Sequence, residues 1–214
     1  MKTSSMATNL SHSAFTQLAS EQQIEKTVQA LQAHGIHVVV CETGEEAKQY
    51  VLDLIPDEAT VYDSPSLTLE ATGLAEQIEH ASRFQAVRSR LATMDRATQY
   101  REMRKLVATP EVLVSSVHAV TEEGEVLIAS AAGSQLSAAA FGAGTVIWVV
   151  GTQKLVRTLE DGLHRVRDYC LPREDERARQ AYGQPSAINK LLLINAEHEP
   201  GRVTMVLVKQ LLGF

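Results

Sequence analysis

Residues 126–153 read VLIASAAGSQLSAAAFGAGTVIWVVGTQ, twenty-eight positions without one charged side chain. A helix that spans a bilayer needs about 20 predominantly apolar residues, so this run must be assigned first. Gly133, Gly142, Gly144 and Gly151 interrupt it, and Ser130, Ser134, Gln135 and Ser137 set polar groups inside it. It divides better into a buried strand (126–129), a helix of small residues (133–141) and a strongly apolar strand (145–150). No membrane span is expected.

Working outward, a strand (111–116) and the polar turn Thr121-Glu122-Glu123-Gly124-Glu125 precede the run. A helix (155–169) with Leu159, Leu163 and Val166 inward follows it. Then come a polar excursion (171–187), helical in part through 173–182, and two closing strands (190–195 and 203–208). Upstream, Phe15, Leu18, Ile24, Val28 and Leu31 recur at helical spacing over 11–34, and Gly35 stops them. A strand (36–41) leads to Thr43, which can cap a helix to about residue 54, with Glu45 and Glu46 favourable in its first turn. Another strand (59–62) turns at 63–66 into a helical stretch. Residues 75–109 read as charged and helical, and the basic segment 96–105 as a solvated face. Strand and helix alternate as in βαβ units. The expected fold is α/β, a three-layer arrangement of a largely parallel sheet flanked by helices, with an N-terminal helix. One domain is expected over 11–214, after a ragged segment at 1–10.

The chain has 214 residues, 44% of them hydrophobic, enough for one sizeable core. Its formal net charge is −6 and it has no long basic run, whereas nucleic-acid binding needs a cationic face to displace phosphate counterions. Aromatics at 5% also argue against a base-stacking platform. Cys41 and Cys170 stand apart from any metal or cluster spacing, so no metal and no bound cofactor is expected. With no apolar leader at the N-terminus, the expected location is cytoplasmic.

Ligands of open α/β sheets gather at the carboxyl ends of strands. Four loops qualify: 63–68, 121–125, 130–135 and 151–154. Ser66 and Thr68 stand where a strand gives way to a helix, and either cradle an anion there or merely cap the helix. Gly133, Ser134 and Gln135 form a second helix entry, without the pattern of a P-loop or a dinucleotide fingerprint. A carboxylate held near apolar strands can act as acid, base or nucleophile. Glutamates on a hairpin turn are otherwise simply solvated. His118, three residues before the turn, is a candidate proton carrier, though a lone histidine is more often structural.

Together these segments resemble the LUD (lactate-utilisation) domain family, over roughly 60–214. The resemblance rests on Ser66-Leu67-Thr68 with Gly73, on Thr121 through Leu127, and on Phe141-Gly142 followed by Val146 to Gly151. Lys154-Leu155-Val156 with the following helix, Pro185-Ser186 with Asn189-Lys190, and Leu212-Gly213-Phe214 complete it. The family is related by fold to ribose-5-phosphate isomerase, glucosamine-6-phosphate deaminase and the CoA transferases. In those transferases a glutamate in a Glu-x-Gly setting is the nucleophile, a role the resemblance suggests by analogy for Glu122, with Gly124 beside it. It also implies Ser186, Asn189 and Lys190 as ligand contacts. This chain departs where many members have glycines, at Ser64 and Pro65. It departs again where many have Asp-Gly-x-Gly-x-Arg, at Ser130 to Gln135, and so lacks an arginine clamp for phosphate or carboxylate. The cysteine cluster of some relatives is missing too.

Three readings follow. The first is a protein that binds a small anionic metabolite (phosphate, carboxylate or CoA ester), as an accessory subunit of lactate or related 2-hydroxy-acid oxidation. Redox centres would then lie in partner subunits. The second is a stand-alone isomerase or CoA-transferase-type enzyme using Glu122, and the third a non-catalytic regulatory module. A homodimer is the alternative assembly, and a lone one would weaken the first reading.

Overall fold

The computed structural model describes residues 15–214. The segment 1–10, and the first positions of the helix expected from residue 11, lie outside the described residues. Helix α1 (Glu21–Ala33) starts ten positions later than expected, because the Ser20 hydroxyl accepts the Gln23 N–H and caps it there. Gly35, with φ of 79°, releases the chain into β1 (His37–Cys41). Thr43 caps α2 (Gly44–Leu54) by accepting the Glu46 N–H, as its position suggests. Strand β2 (Thr60–Asp63) leads to α3 (Leu67–Ala71) and α4 (Leu74–His80).

The stretch 75–109 is not one helix. Phe84 is buried and brings in a two-residue strand, β3 (Gln85–Ala86), before α5 (Val87–Ala92). Asp95 then caps a new helix, α6 (Arg96–Ala108), which has no fully buried residue. Strands β4 (Val112–Ser115), β5 (Ala119–Thr121) and β6 (Val126–Ser130) follow. The small-residue run forms α7 (Ser134–Ser137) and continues as a wide π turn, Ala138–Gly142. Strand β7 (Thr145–Gly151) ends in a 3₁₀ turn, Thr152–Lys154.

The helix expected over 155–169 is corrected at both ends. Leu155–Val156 forms β8, and the helix begins at Leu159, where Thr158 accepts the Asp161 N–H. It then continues without a gap into the helical part expected over 173–182, as α8 (Leu159–His164), a π turn (Arg165–Cys170) and α9 (Leu171–Tyr182). Pro172 has no N–H to donate, and the widened turn just before it accommodates that loss. Strands β9 (Lys190–Ile194) and β10 (Val203–Val208) complete the chain.

Six strands form a parallel sheet in the order β1-β10-β7-β4-β2-β3. Helices flank it, as expected of strands that read as continuous apolar runs. Val146, Trp148 and Val150 of β7 enter one core, and Ile147 and Val149 the other. The second core is closed by α2, α3 and α4 through Ala47, Val51, Leu69, Leu74 and Ile78. The first is closed by Ile24 and Leu31 of α1, by Ala138 and Ala139, and by a second sheet ordered β8-β5-β6-β9. Its outer face, Ala119, Leu127 and Ala129, packs on Val166. None of the described helices is long and apolar enough to cross a membrane.

Candidate functional site

Strand β7 delivers Lys154 to the carboxyl edge of the parallel sheet, where a cavity of about 260 Å³ opens. Three of the four anticipated loops line it: the one between β2 and α3, the one between β6 and α7, and the 3₁₀ turn. The fourth, Thr121 to Glu125, does not, and topology gives the reason. β8 starts beside Lys154 and pairs in parallel with β5, Val120 opposite Leu155, so β5 leads away from the cavity and β6 brings the chain back. His118 before β5, and Ala129 to Gln135 after it, therefore reach the wall. At about 3.3 Å per strand residue, the intervening turn lies on the order of 10 Å further off.

The turn instead meets α1. Glu122 and Glu123 pair with Lys26 at 3.2 and 2.9 Å, and the Glu122 N–H donates to the Val156 carbonyl. Gly124 has φ of 85°, and a Cβ there would lie 2.9 Å from His34 Nδ1 and 3.0 Å from the Ala30 carbonyl carbon. Its lack of a side chain serves helix packing. Gly124→Ala is expected to cost about 1–3 kcal/mol from positive φ and overpacking, read as a lowered midpoint in urea.

At the cavity floor Lys154 is 2% exposed. Its Nζ donates to Thr68 Oγ1 at 2.9 Å and to Ser116 Oγ at 3.0 Å, and it makes no salt bridge among the described residues. Burial, reinforced by the Arg165 charge, pushes its pKa down to about 7. Arg165 is fully buried behind it. One terminal nitrogen donates to the His118 carbonyl and to Cys170 Sγ; Nε and the other terminal nitrogen have no hydrogen-bond partner among the described residues. Its guanidinium carbon lies 5.1 Å from the Tyr169 ring centroid and 5.9 Å from that of Phe15, where the ring faces offset part of the burial cost. His118 is held neutral, its pKa pushed down to about 3 by burial and by the two cations. Its Nδ1 accepts the Ala129 N–H, which leaves the ring proton on Nε2.

The wall is rich in hydroxyls. Ser66 caps α3 and accepts the Thr68 N–H. Thr68 accepts from Lys154 and donates to the Leu212 carbonyl, to which Gln153 also donates, so the segment 212–214 closes one side and Phe214 joins the lining. Ser134 is hydrogen-bonded to Tyr62, and Gln135 accepts from Ser130. Ser186 lines the opposite side, with its N–H on Asp175. Of the two acidic lining residues, Glu174 is paired twice with Arg177 at 2.8 Å and Glu70 stands exposed at the rim.

Ser66, Thr68, His118, Ser134, Gln135 and Ser186 are thus brought together around one cavity. Gly133, Asn189 and Lys190 support it from outside. Asn189 and Lys190 donate to the Ala131 and Ala132 carbonyls, and a Cβ on Gly133 would lie 2.6 Å from Lys190 Cδ. Sequence reasoning did not single out Lys154, Ser116 or Arg165. Lys154 had a signal: it is the first charge after the twenty-eight-residue uncharged run, directly beyond an apolar strand. Arg165 had none.

Two comparisons bear on this arrangement. A crystal structure of a DUF162 family protein from Deinococcus radiodurans is similar in fold, with a TM-score of 0.53 at 13% identity, covering 90% of this chain and 99% of that one. No curated protein matches the sequence. The LUD domain model matches residues 24–208, a span holding both sheets and the cavity floor, and this chain therefore belongs to the LUD domain family.

Proposed function

We propose that this LUD domain protein binds a small anionic metabolite in the cavity over Lys154, as the non-redox component of lactate or related 2-hydroxy-acid oxidation. The carrying observation is a buried lysine whose described partners are hydroxyls and not a carboxylate. A buried cation without a counterion is costly, and a ligand carboxylate or phosphate would offset that cost. Arg165 strengthens the attraction from behind through its charge. The cavity lies below the usual volume range of ligand pockets, so a CoA ester would place only its acyl end inside.

A thermal-shift series with 2-hydroxy and 2-oxo acids, sugar phosphates and CoA esters tests this reading. At a hundredfold excess over Kd a ligand adds about 2.7 kcal/mol, or roughly 5–10 °C for a chain of this size. The shift should vanish in Lys154→Met and persist in Glu122→Gln. Affinity should fall as pH rises through about 7, where Lys154 loses its proton. A response lost in Glu122→Gln but kept in Lys154→Met would refute the reading.

A further inference from the structure

The hydrogen bonds around Lys154 have a direction. Thr68 Oγ1 donates its single proton to the Leu212 carbonyl at 3.0 Å, so toward Lys154 it can only accept. An uncharged amine at this position has two protons, one committed to Thr68 and one available to Ser116, which leaves its lone pair free. Lys154 itself lines the cavity, and the lone pair is the direction at Nζ that neither hydroxyl takes up. An amine placed so, and kept from hydration by burial, has the setting of imine-forming lysines.

From this geometry we infer that Lys154 forms an imine with the keto group of a small 2-oxo acid, the carbonyl product of the 2-hydroxy-acid chemistry proposed above. The inference rests on that reading and deepens it. The Lys154 nitrogen attacks the keto carbon, forming a C–N bond and a carbinolamine. The carbonyl oxygen then leaves as water with the two protons that the amine gives up, and C=N replaces C=O. No oxidant or reductant is consumed. The Ser116 hydroxyl, which accepts from Lys154, is the group beside Nζ able to relay a proton during loss of water, while neutral His118 offers only its Nε2–H as a hydrogen-bond donor. The substrate carboxylate lies in the field of Arg165. The amine is poised for the step because burial and Arg165 bring its pKa to about 7.

The test uses the whole protein with pyruvate and sodium cyanoborohydride, followed by intact mass and peptide mapping. One reduced pyruvyl group per chain is expected at Lys154, with the other lysines serving as internal controls. Lys154→Arg, which keeps the cation but cannot form an imine, should lose the adduct. With saturating pyruvate, trapping should be about tenfold faster at pH 8 than at pH 6, following the uncharged fraction of the amine. Mapping is done on the unaltered protein, so a poorly folded variant does not decide the outcome. A thermal shift with pyruvate but no adduct on Lys154 would overturn the imine and leave anion binding standing. No shift and no adduct with any anion would overturn both. Capture of dihydroxyacetone phosphate and not of pyruvate would overturn the 2-oxo acid as substrate class.

Discussion

Replacing Arg202 by alanine is expected to remove roughly 3–5 kcal/mol of stability, the usual cost of breaking a buried ion pair from one side. Arg202 is 6% exposed and pairs with Glu197. Its remaining donors reach the carbonyls of Ala139 and Ala143 and that of Ala138, which also accepts the Ala143 N–H. Alanine would take the guanidinium from a carboxylate and from the carbonyls of Ala139 and Ala143, while the Ala138 carbonyl keeps the Ala143 N–H. Burial raises the Glu197 pKa, but the Glu199 N–H and Arg202 outweigh it and hold the net value below the usual carboxylate range. A depressed carboxylate stabilises the fold above its unfolded pKa, and that contribution is lost as pH falls through the folded value. Urea melts should show the large loss at neutral pH and a smaller difference between the two proteins in acid. A loss under 1 kcal/mol at pH 7 would mean that water replaces the guanidinium without penalty.

Lys154→Met is expected to move stability the other way, upward by roughly 1–4 kcal/mol at pH 6, as when buried charges give way to apolar side chains. Thr68 and Ser116 each lose one donor but can turn their hydroxyls elsewhere. The pH dependence identifies the cause. Below about 7 Lys154 is charged in both folded and unfolded chains, and the burial penalty is complete. Between about 7 and its unfolded value of 10.5 the folded protein has released a proton that the unfolded chain still holds, so wild-type stability rises with pH. The advantage of methionine should therefore shrink across that window and be smallest above it. A gain that stayed constant from pH 6 to pH 10 would show improved packing instead of relief of a buried charge. The variant should be more stable and unable to bind, the trade expected where a site is built from strained electrostatics.

The corrections in secondary structure have local causes that periodicity does not register. Spacing separates a helix ending at 169 from a helical part over 173–182, yet the turn Arg165–Cys170 widens and joins the two. The basic tone of 75–109 concealed Phe84 and the Asp95 cap, each of which interrupts the helix.

The sequence by itself determined the parallel α/β sheet, because alternation of apolar strands with capped helices is set by neighbours a few residues apart. It also pointed to three cavity loops, since carboxyl ends follow from strand direction, and to Ser66, Thr68 and His118 among the wall residues. Only the tertiary structure decided which charge matters. The small second sheet reverses the chain between His118 and Ala129, so Glu122 is carried to Lys26 and the surface. Lys154, which sequence shows only as the charge ending an apolar run, is buried between Thr68 and Ser116, residues 86 and 38 positions away. Dielectric environment and the proximity of Arg165 are properties of that assembly, and they lower the pKa of an otherwise ordinary lysine.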